Sequence, residues 1–555
     1  MASQPDSPRG HAPAPDPGGP AISSPFSGNV ADLVADAAAR SPEHPALLEP
    51  AVGLVLSWSR VQRATLAEAA RLREAGVTPG DRVLIRLGHG VGFCVAVLGA
   101  LRAGAVAVPV GTQSTQRELT AILADCGPAA LVVEESDEAA GYALRSVAST
   151  LPGTSRLPPP KVPVTEHADA GDGGDALEPP DSGRGGEDIA LLGYTSGVTG
   201  RPRGVCLSHR ALLANRAQIA LLRPVPVSPA DRVLLQLPLF HIYGLGAGLL
   251  QVCWAGATGV LVARLDAEEL IEAVRQQRVT VLSGVPSTYR TLLELPLARL
   301  REGLVTVRLC IAGGAPLPPE LPPEFERGTG LALFNGYGLT ETGPVLTSTL
   351  VGGAAKPGSV GRPLPGGPGV PGVELRLVDP DGTAGVGTDT TSGPDADLDD
   401  EPDTGLVSVR GPNLFSGYWP DGAGGPDGGG WFRTSDVGVL DADGDLNLVD
   451  RATDVVIVNG FNVYPHEVEQ VLEEHPAVAE AAVVGVPDPR TGEAVKAVLV
   501  VRPGAKLRAE QVREHSASRL ARFKRPVVIE FAERLPRSAT GKIVRRELRS
   551  DGGDD

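Results

Sequence analysis

Between Tyr194 and Gly204 the chain reads Tyr-Thr-Ser-Gly-Val-Thr-Gly-Arg-Pro-Arg-Gly. Glycines let the backbone approach a bulky anion and take positive φ. Exposed N–H groups and hydroxyls can then donate to the anion's oxygens. Thr195, Ser196, Gly197, Val198 and Thr199 supply such donors, and Arg203 adds charge. The segment fits a phosphate cradle, although the Gly-x-x-x-x-Gly-Lys-Ser/Thr spacing of the common nucleotide loop is absent. A polar surface turn has the same composition, so these residues alone leave both readings open.

Such a loop must be carried on rigid elements. Upstream, helical and strand patterns alternate. Ser59–Ala75 reads as helix, Asp81–Leu87 as strand, Gly90–Ala103 as helix and Ala105–Val110 as strand. Thr115–Asp125 is a helix opened by a capping box of Thr115 with Glu118, and Ala129–Glu134 is a strand. Repeated β–α–β units imply a mostly parallel sheet covered by helices. A second α/β run extends from Ile189 to about Arg327, with helix Ala267–Gln277 and strand Thr280–Ser283. Gly361–Asp450 reads as short strands with turn signals at Asp381-Gly382 and Asp443-Gly444. Beyond Asp454 a small α/β unit follows, with helices Pro465–Glu474 and Ala509–Ala521 and strands Ala479–Val486, Ala494–Val501 and Val527–Phe531. The expected fold class is therefore α/β: a large N-terminal domain (28–449) with mostly parallel, helix-covered sheets and a small β-rich subdomain, a hinge at 450–454, and a small mobile C-terminal domain (455–550).

Residues 1–27 and 551–555 read as tails, and 158–188, 385–404 and 420–430 as disordered, Gly-, Pro- and Asp-rich loops. The net charge of −17 argues against a nucleic-acid partner. Cys94, Cys126, Cys206, Cys253 and Cys310 are odd in number and lie in or beside apolar runs, as buried thiols of a reducing compartment would. Ile242–Ala263 has no charged residue and is long enough to span a bilayer, which takes about 20 apolar residues. It holds five glycines and Gln251 and has no flanking basic cluster, so it reads as a buried Gly-rich helix and then a strand near Gly259–Ala263. No membrane segment is expected, and the expected location is the cytoplasm. Asp441-Ala-Asp-Gly-Asp445 superficially suggests a calcium loop, but its glycine is misplaced and a hairpin turn explains it better.

The phosphate segment resembles that of the adenylate-forming superfamily, which includes acyl-CoA synthetases, aryl-CoA ligases and the adenylation domains of peptide synthetases. Seven further segments resemble the family's motifs in the same order. They are Leu237–Gly244 (Leu-Pro-Leu-Phe-His-Ile-Tyr-Gly), Ala312–Ala315 (Ala-Gly-Gly-Ala), Asn335–Thr342 (Asn-Gly-Tyr-Gly-Leu-Thr-Glu-Thr), Trp431–Gly438, Asp450–Asp454, Asn459–Glu469 and Pro536–Lys542 (Pro-Arg-Ser-Ala-Thr-Gly-Lys).

The resemblance implies an enzyme that joins a carboxylic acid to AMP using ATP and Mg2+, then passes the acyl group to coenzyme A. It implies that Glu341 holds Mg2+, that Thr340 contacts the nucleotide phosphate, and that Lys542 bridges the acid and the α-phosphate in the transition state. Asp436 is expected to accept from the ribose hydroxyls, with Arg451 near ribose or phosphate. Tyr337 is expected to stack on adenine, its flanking Gly336 and Gly338 suggesting an open loop. Gly313, Gly314, Ala315 and Asn335 belong to the adenosine pocket. His241 and Tyr243, with Gly313 and Gly338, line the acyl site. Asn459, Gly460 and Phe461 face coenzyme A. Four positions depart from the family pattern: Arg203 stands where lysine is usual, Val198 where threonine is common, Asp450 for glycine, and Thr453 for the hinge Asp or Lys. One alternative is an enzyme that loads an acyl-carrier protein instead of coenzyme A. Another is a non-catalytic nucleotide-binding relative.

Overall fold

The computed structural model describes residues 26–147, 151, 153–162, 183–196, 202–263, 266–379, 404–451, 454, 456–458, 461–488, 492–517, 519–520, 522–538 and 542–549. The expected tails at 1–25 and 551–555, the loop residues 163–182 and 385–403, the Asp381-Gly382 turn signal, and Gly197, Val198, Thr199, Thr453, Asn459 and Gly460 lie outside them.

The first sheet has six strands in the order Ser155–Leu157, Ala130–Val133, Arg82–Arg86, Val106–Pro109, Ile189–Ser196, Pro202–Ser208. All neighbours are parallel except the last pair, an antiparallel hairpin. The described ends of the candidate phosphate segment, residues 194–196 and 202–204, are therefore paired antiparallel at the sheet edge. The expected capping box is present: the Glu118 N–H donates to Thr115 Oγ1 and the Thr115 N–H to the Glu118 carboxylate, opening helix Gln116–Cys126, and Gly127 at φ 52° ends it.

The second sheet has nine strands: Arg362–Pro363, Val345–Ser348, Leu333–Gly338, Leu309–Gly313, Val281–Gly284, Arg232–Leu235, Thr258–Leu261, Pro45–Glu49, Leu54–Ser57. The six from Leu333–Gly338 to Pro45–Glu49 are mutually parallel, and the margins are antiparallel. One continuous core joins both sheets, built around Trp58, Phe93, Val95, Leu98, Leu191, Leu245 and Leu249. The Gly-rich run folds as a π-helix, Tyr243–Leu250, that continues as the short α-helix Gln251–Ala255. A Cβ on Gly244 would lie 2.4 Å from the Pro238 carbonyl oxygen, and one on Gly246 2.7 Å from the Pro344 ring. The glycines are thus packing requirements. Among the described residues no helix is long and apolar enough to cross a membrane.

The third sheet is antiparallel: Glu374–Val378, Thr404–Arg410, Trp431–Leu440, Leu446–Arg451. Its Asp443-Gly444 hairpin is no cation site in waiting, because the Lys356 ammonium lies 2.5, 2.8 and 3.6 Å from the Asp441, Asp443 and Asp445 carboxylates. Residues 420–430, expected as a disordered insert, are folded. The Asp427 carboxylate accepts from the Gly429 and Trp431 N–H groups, and Tyr418 bonds back to Ala423. A composition rich in Gly and Pro here reflects tight turns, not a lack of structure.

The fourth sheet pairs Phe461–Val463, Val456–Val458, Gly492–Val501 and Val478–Asp488, with Val528–Ala532 added in parallel to Gly492–Val501. One face packs on Val468 and Leu472 of helix Pro465–Glu473 and Val512 of helix Ala509–Ala517, and the other on Leu535 and Leu548. The five cysteines are buried and free, as their apolar settings predicted.

Candidate active site

The strand Leu333–Gly338 and the 3-10 turn Thr340–Thr342 carry the most diagnostic segment. Asn335 to Gly338 are strand residues, not the open loop expected. Gly338 is there because its neighbour strand comes very close: a Cβ would sit 1.8 Å from the Pro344 carbonyl oxygen. Asn335, expected to face the nucleotide, is buried and engaged. Its Nδ2 donates to the Ser359 carbonyl (3.0 Å) and its Oδ1 accepts from the Gly336 N–H (3.0 Å).

Tyr337 and Asp436 come together from different sheets. The Tyr337 hydroxyl donates to Asp436 Oδ2 at 2.6 Å, and both residues are buried. Tyr337 therefore presents a ring tethered at its far end. Across the hairpin ladder Asp436 pairs with Arg451, so the ribose candidate and the last residue of the Leu446–Arg451 strand share a register position.

Glu341 faces the phosphate hairpin. Thr340 packs beside Gly193, since a Cβ there would meet the Thr340 methyl at 3.0 Å. The Tyr418 hydroxyl donates to Glu341 Oε1 (2.8 Å), and the Phe415 N–H donates to the Glu341 carbonyl (2.9 Å). The guanidinium of Arg203 lies 3.4 Å from the centroid of the same Tyr418 ring. Thr195, on the opposite strand of the hairpin, pairs with Arg203. Tyr418 was missed by the sequence reading. Its only signal was an aromatic pair inside a glycine-rich run, Gly417-Tyr-Trp-Pro420, with no charged or periodic pattern to mark it.

On the acyl side, Tyr243 lies over Gly313 and Gly314. Added Cβ atoms there would meet its ring at 3.2 and 3.4 Å, and Gly314 has φ +79°, a left-handed conformation that favours glycine. Behind the ring is a cavity of about 10 Å³ lined by Leu234, Leu235, Leu237, Gly244, Gly248 and Ser283. His241 Nδ1 accepts from the Tyr243 N–H (3.2 Å), which leaves Nε2 as the protonated nitrogen of the neutral ring. Burial first, and the charge of Lys542 second, together lower this imidazole from 6.5 to about 4. His241 is thus neutral near pH 7, and the positive charge acting on it comes from the other end of the chain.

Lys542 is tied back to Ser538. The Ser538 N–H donates to the Lys542 carbonyl (2.8 Å), the Lys542 N–H donates to Ser538 Oγ (3.2 Å), and Arg537 bridges to Ile543. Asp454, last residue of the expected hinge, is ion-paired with Arg545 (3.5 Å) and Arg549 (3.1 Å).

A family model described as "AMP-binding enzyme" matches residues 34–419, and one described as "AMP-binding enzyme C-terminal domain" matches residues 467–542. The chain belongs to the AMP-binding enzyme family. It is 35% identical to a feruloyl-CoA synthase of an Amycolatopsis species over 504 residues, 90% of this chain and 94% of that protein. It is 32% identical to a long-chain-fatty-acid–CoA ligase of Bacillus subtilis over 549 residues, 93% of each chain. The solved structure of ATP-bound MatB from Rhodopseudomonas palustris superposes with a TM-score of 0.81 at 32% identity, covering 94% of this chain and 98% of that one. Within the family this AMP-binding enzyme falls in the acyl-CoA synthetase branch, the AMP-forming acid–CoA ligases.

Proposed function

We propose that this enzyme activates a fatty or aryl carboxylic acid as its acyl-AMP, with release of pyrophosphate, and then transfers the acyl group to the thiol of coenzyme A with release of AMP. The observation that carries the reading is geometric: Tyr337 and Asp436, from different sheets, meet in a 2.6 Å hydrogen bond, and the turn that follows the Tyr337 strand carries Thr340 and Glu341.

The first step forces a carboxylate oxygen onto the α-phosphorus of a polyanion, so most of the barrier is electrostatic. Lys542 supplies mobile positive charge to both partners. His241, protonated on Nε2, offers a neutral donor and orients the carboxylate. The Asp436 carboxylate accepts from the ribose hydroxyls, and Tyr337 presents its ring to adenine while its hydroxyl holds Asp436 in place. Thr195, Ser196, Gly197, Val198, Thr199, Thr340 and Arg203 receive the phosphates. Gly313, Gly314 and Ala315 leave room for the adenosine and the reacting carboxylate. Glu341, one carboxylate beside hydroxyl groups, fits Mg2+, which takes one or two carboxylates plus phosphate oxygens and waters. When bound, that ion neutralises phosphate charge. Asn335 supports this pocket from behind.

The second step needs another face of the small domain, and we assign the pivot to residues 450–454, with Asn459, Gly460 and Phe461 turned toward coenzyme A. Asp454 is tied to Arg545 and Arg549, which belong to the small domain's last segment. Rotation is therefore taken up ahead of Asp454, around Arg451. In the alternative the acyl group passes to an acyl-carrier protein. The test is pyrophosphate release with short, long and aromatic acids, followed by addition of coenzyme A or of a phosphopantetheinylated carrier. Acid-dependent release and a coenzyme A thioester are expected. Release without acid dependence refutes the proposal.

A further inference from the structure

A short strap, Phe415 to Trp419, runs between the two segments expected to hold the triphosphate. On one side it is paired with the strand Pro202–Ser208 that leaves the phosphate hairpin. The Cys206 N–H donates to the Gly417 carbonyl (3.1 Å), the Ser416 N–H to the Cys206 carbonyl (2.9 Å) and the Trp419 N–H to the Gly204 carbonyl (2.8 Å). On the other side it grips Glu341 twice, through the Phe415 N–H at the backbone and the Tyr418 hydroxyl at the carboxylate. Tyr418 cannot swing away. Its ring is packed edge-on against Phe415 at 5.0 Å and covered by the Arg203 guanidinium at 3.4 Å, and its backbone is bonded to Ala423 and Gly422.

We propose that Tyr418 is a positioning residue that couples the carboxylate of Glu341 to the phosphate-loop cation Arg203, fixing both in register for a divalent cation bound to the nucleotide triphosphate. This deepens the function proposed above and rests on it.

Three physical features support the assignment. A carboxylate on a mobile stem loses rotamer freedom when it binds a cation, and a prior hydrogen bond at one oxygen removes part of that cost while the other stays available. The Tyr418 hydroxyl lies 2.8 Å from Glu341 Oε1, and a carboxylate oxygen accepts, so the phenol is the donor in this bond. An arginine stacked on an aromatic face keeps its in-plane N–H donors free for anionic oxygens. A lysine there could not stack in this way, which gives Arg203 a structural reason to stand where the family pattern has lysine.

The variant Tyr418→Phe keeps the ring under Arg203 and removes only the hydroxyl. The Mg2+ concentration needed for half-maximal acid-dependent pyrophosphate release is expected to rise about tenfold, the size of one hydrogen bond to a charged group. Mn2+ titrated into enzyme saturated with α,β-methylene-ATP and followed by EPR should bind more weakly by the same factor. Thioester formation from ready-made acyl-AMP and coenzyme A, which needs no triphosphate, should be unchanged and shows that the variant is folded. On a Glu341→Gln background, Tyr418→Phe should add little to the Mg2+ requirement, because the two residues act as one unit. The proposal is overturned if Tyr418→Phe leaves Mn2+ binding and Mg2+ requirement within about twofold of the parent, or lowers both half-reactions equally. If instead the parent enzyme releases pyrophosphate without acid or divalent cation, the underlying functional reading fails first.

Discussion

Replacing Lys542 with alanine should separate the two half-reactions. A unit charge about 4 Å from another at an effective dielectric near 20 contributes about 4 kcal/mol. Each 1.36 kcal/mol is a factor of ten in rate, so a fully engaged Lys542 is worth about a thousandfold in acyl-AMP formation. Lys542 is only half-buried in the structure, and solvent screening trims this to roughly two to three orders of magnitude. Its field already reaches His241. Loss of the charge should therefore raise the His241 pKa from about 4, while burial, the larger cause, keeps it below 6.5. The assay is acid-dependent pyrophosphate release beside thioester formation from synthetic acyl-AMP, with the imidazole titrated by NMR. The first rate should collapse and the second stay within about threefold. Equal losses in both, or an unmoved His241, would refute the role given to this side chain.

Tyr337→Phe removes the hydroxyl that holds Asp436 at 2.6 Å. A hydrogen bond to a carboxylate is worth about 1.5–3 kcal/mol, so KM for ATP should rise at least about tenfold while KM for the acid barely changes. Gly338→Ala would put a methyl group 1.8 Å from the Pro344 carbonyl oxygen, and thermal melts should show a loss of about 3 kcal/mol as the two strands are forced apart. His209 is buried, accepts the Val30 N–H at its Nδ1, and has its pKa lowered by burial from 6.5 to about 4. Its neutral form is the one the fold accommodates, so its contribution is complete above pH 6.5 and falls as pH drops toward 4, by at most about 1.4 kcal/mol per pH unit. Urea melts of His209→Asn across that window should show a shallower acid limb than the parent, and an unchanged limb would clear His209 of the effect.

The local elements were legible where one physical signal sufficed. Thr115 and Glu118 announced their helix through mutual capping, and the early α/β alternation gave a mostly parallel sheet. Long-range pairing was not legible. Pro45–Glu49 was unassigned from sequence, yet it completes the nine-stranded sheet beside Thr258–Leu261, a partner that no local pattern names. At the site, the motif resemblance and not residue type pointed to Glu341, Asp436 and Lys542, and it did not say how they are held. Gly336 and Gly338 read as loop residues because glycine marks both loops and close strand contacts, and only the facing carbonyls, of Thr347 and Pro344 respectively, distinguish the two. Asn335 read as a ligand because a polar side chain gives no hint that Ser359 and Gly336 already occupy it. Tyr418 was invisible because its partners, Glu341 and Arg203, come from separate sheets.

The claim that carries the rest is that the acid's own carboxylate oxygen attacks the α-phosphorus. It is tested most directly with an acid labelled with oxygen-18 in both carboxyl positions, incubated with ATP, Mg2+, coenzyme A and enzyme, and analysed by mass spectrometry. The account predicts AMP carrying a single labelled oxygen, a thioester retaining the other, and unlabelled pyrophosphate. Label in inorganic phosphate with ADP as the nucleotide product, or AMP free of label, would contradict it.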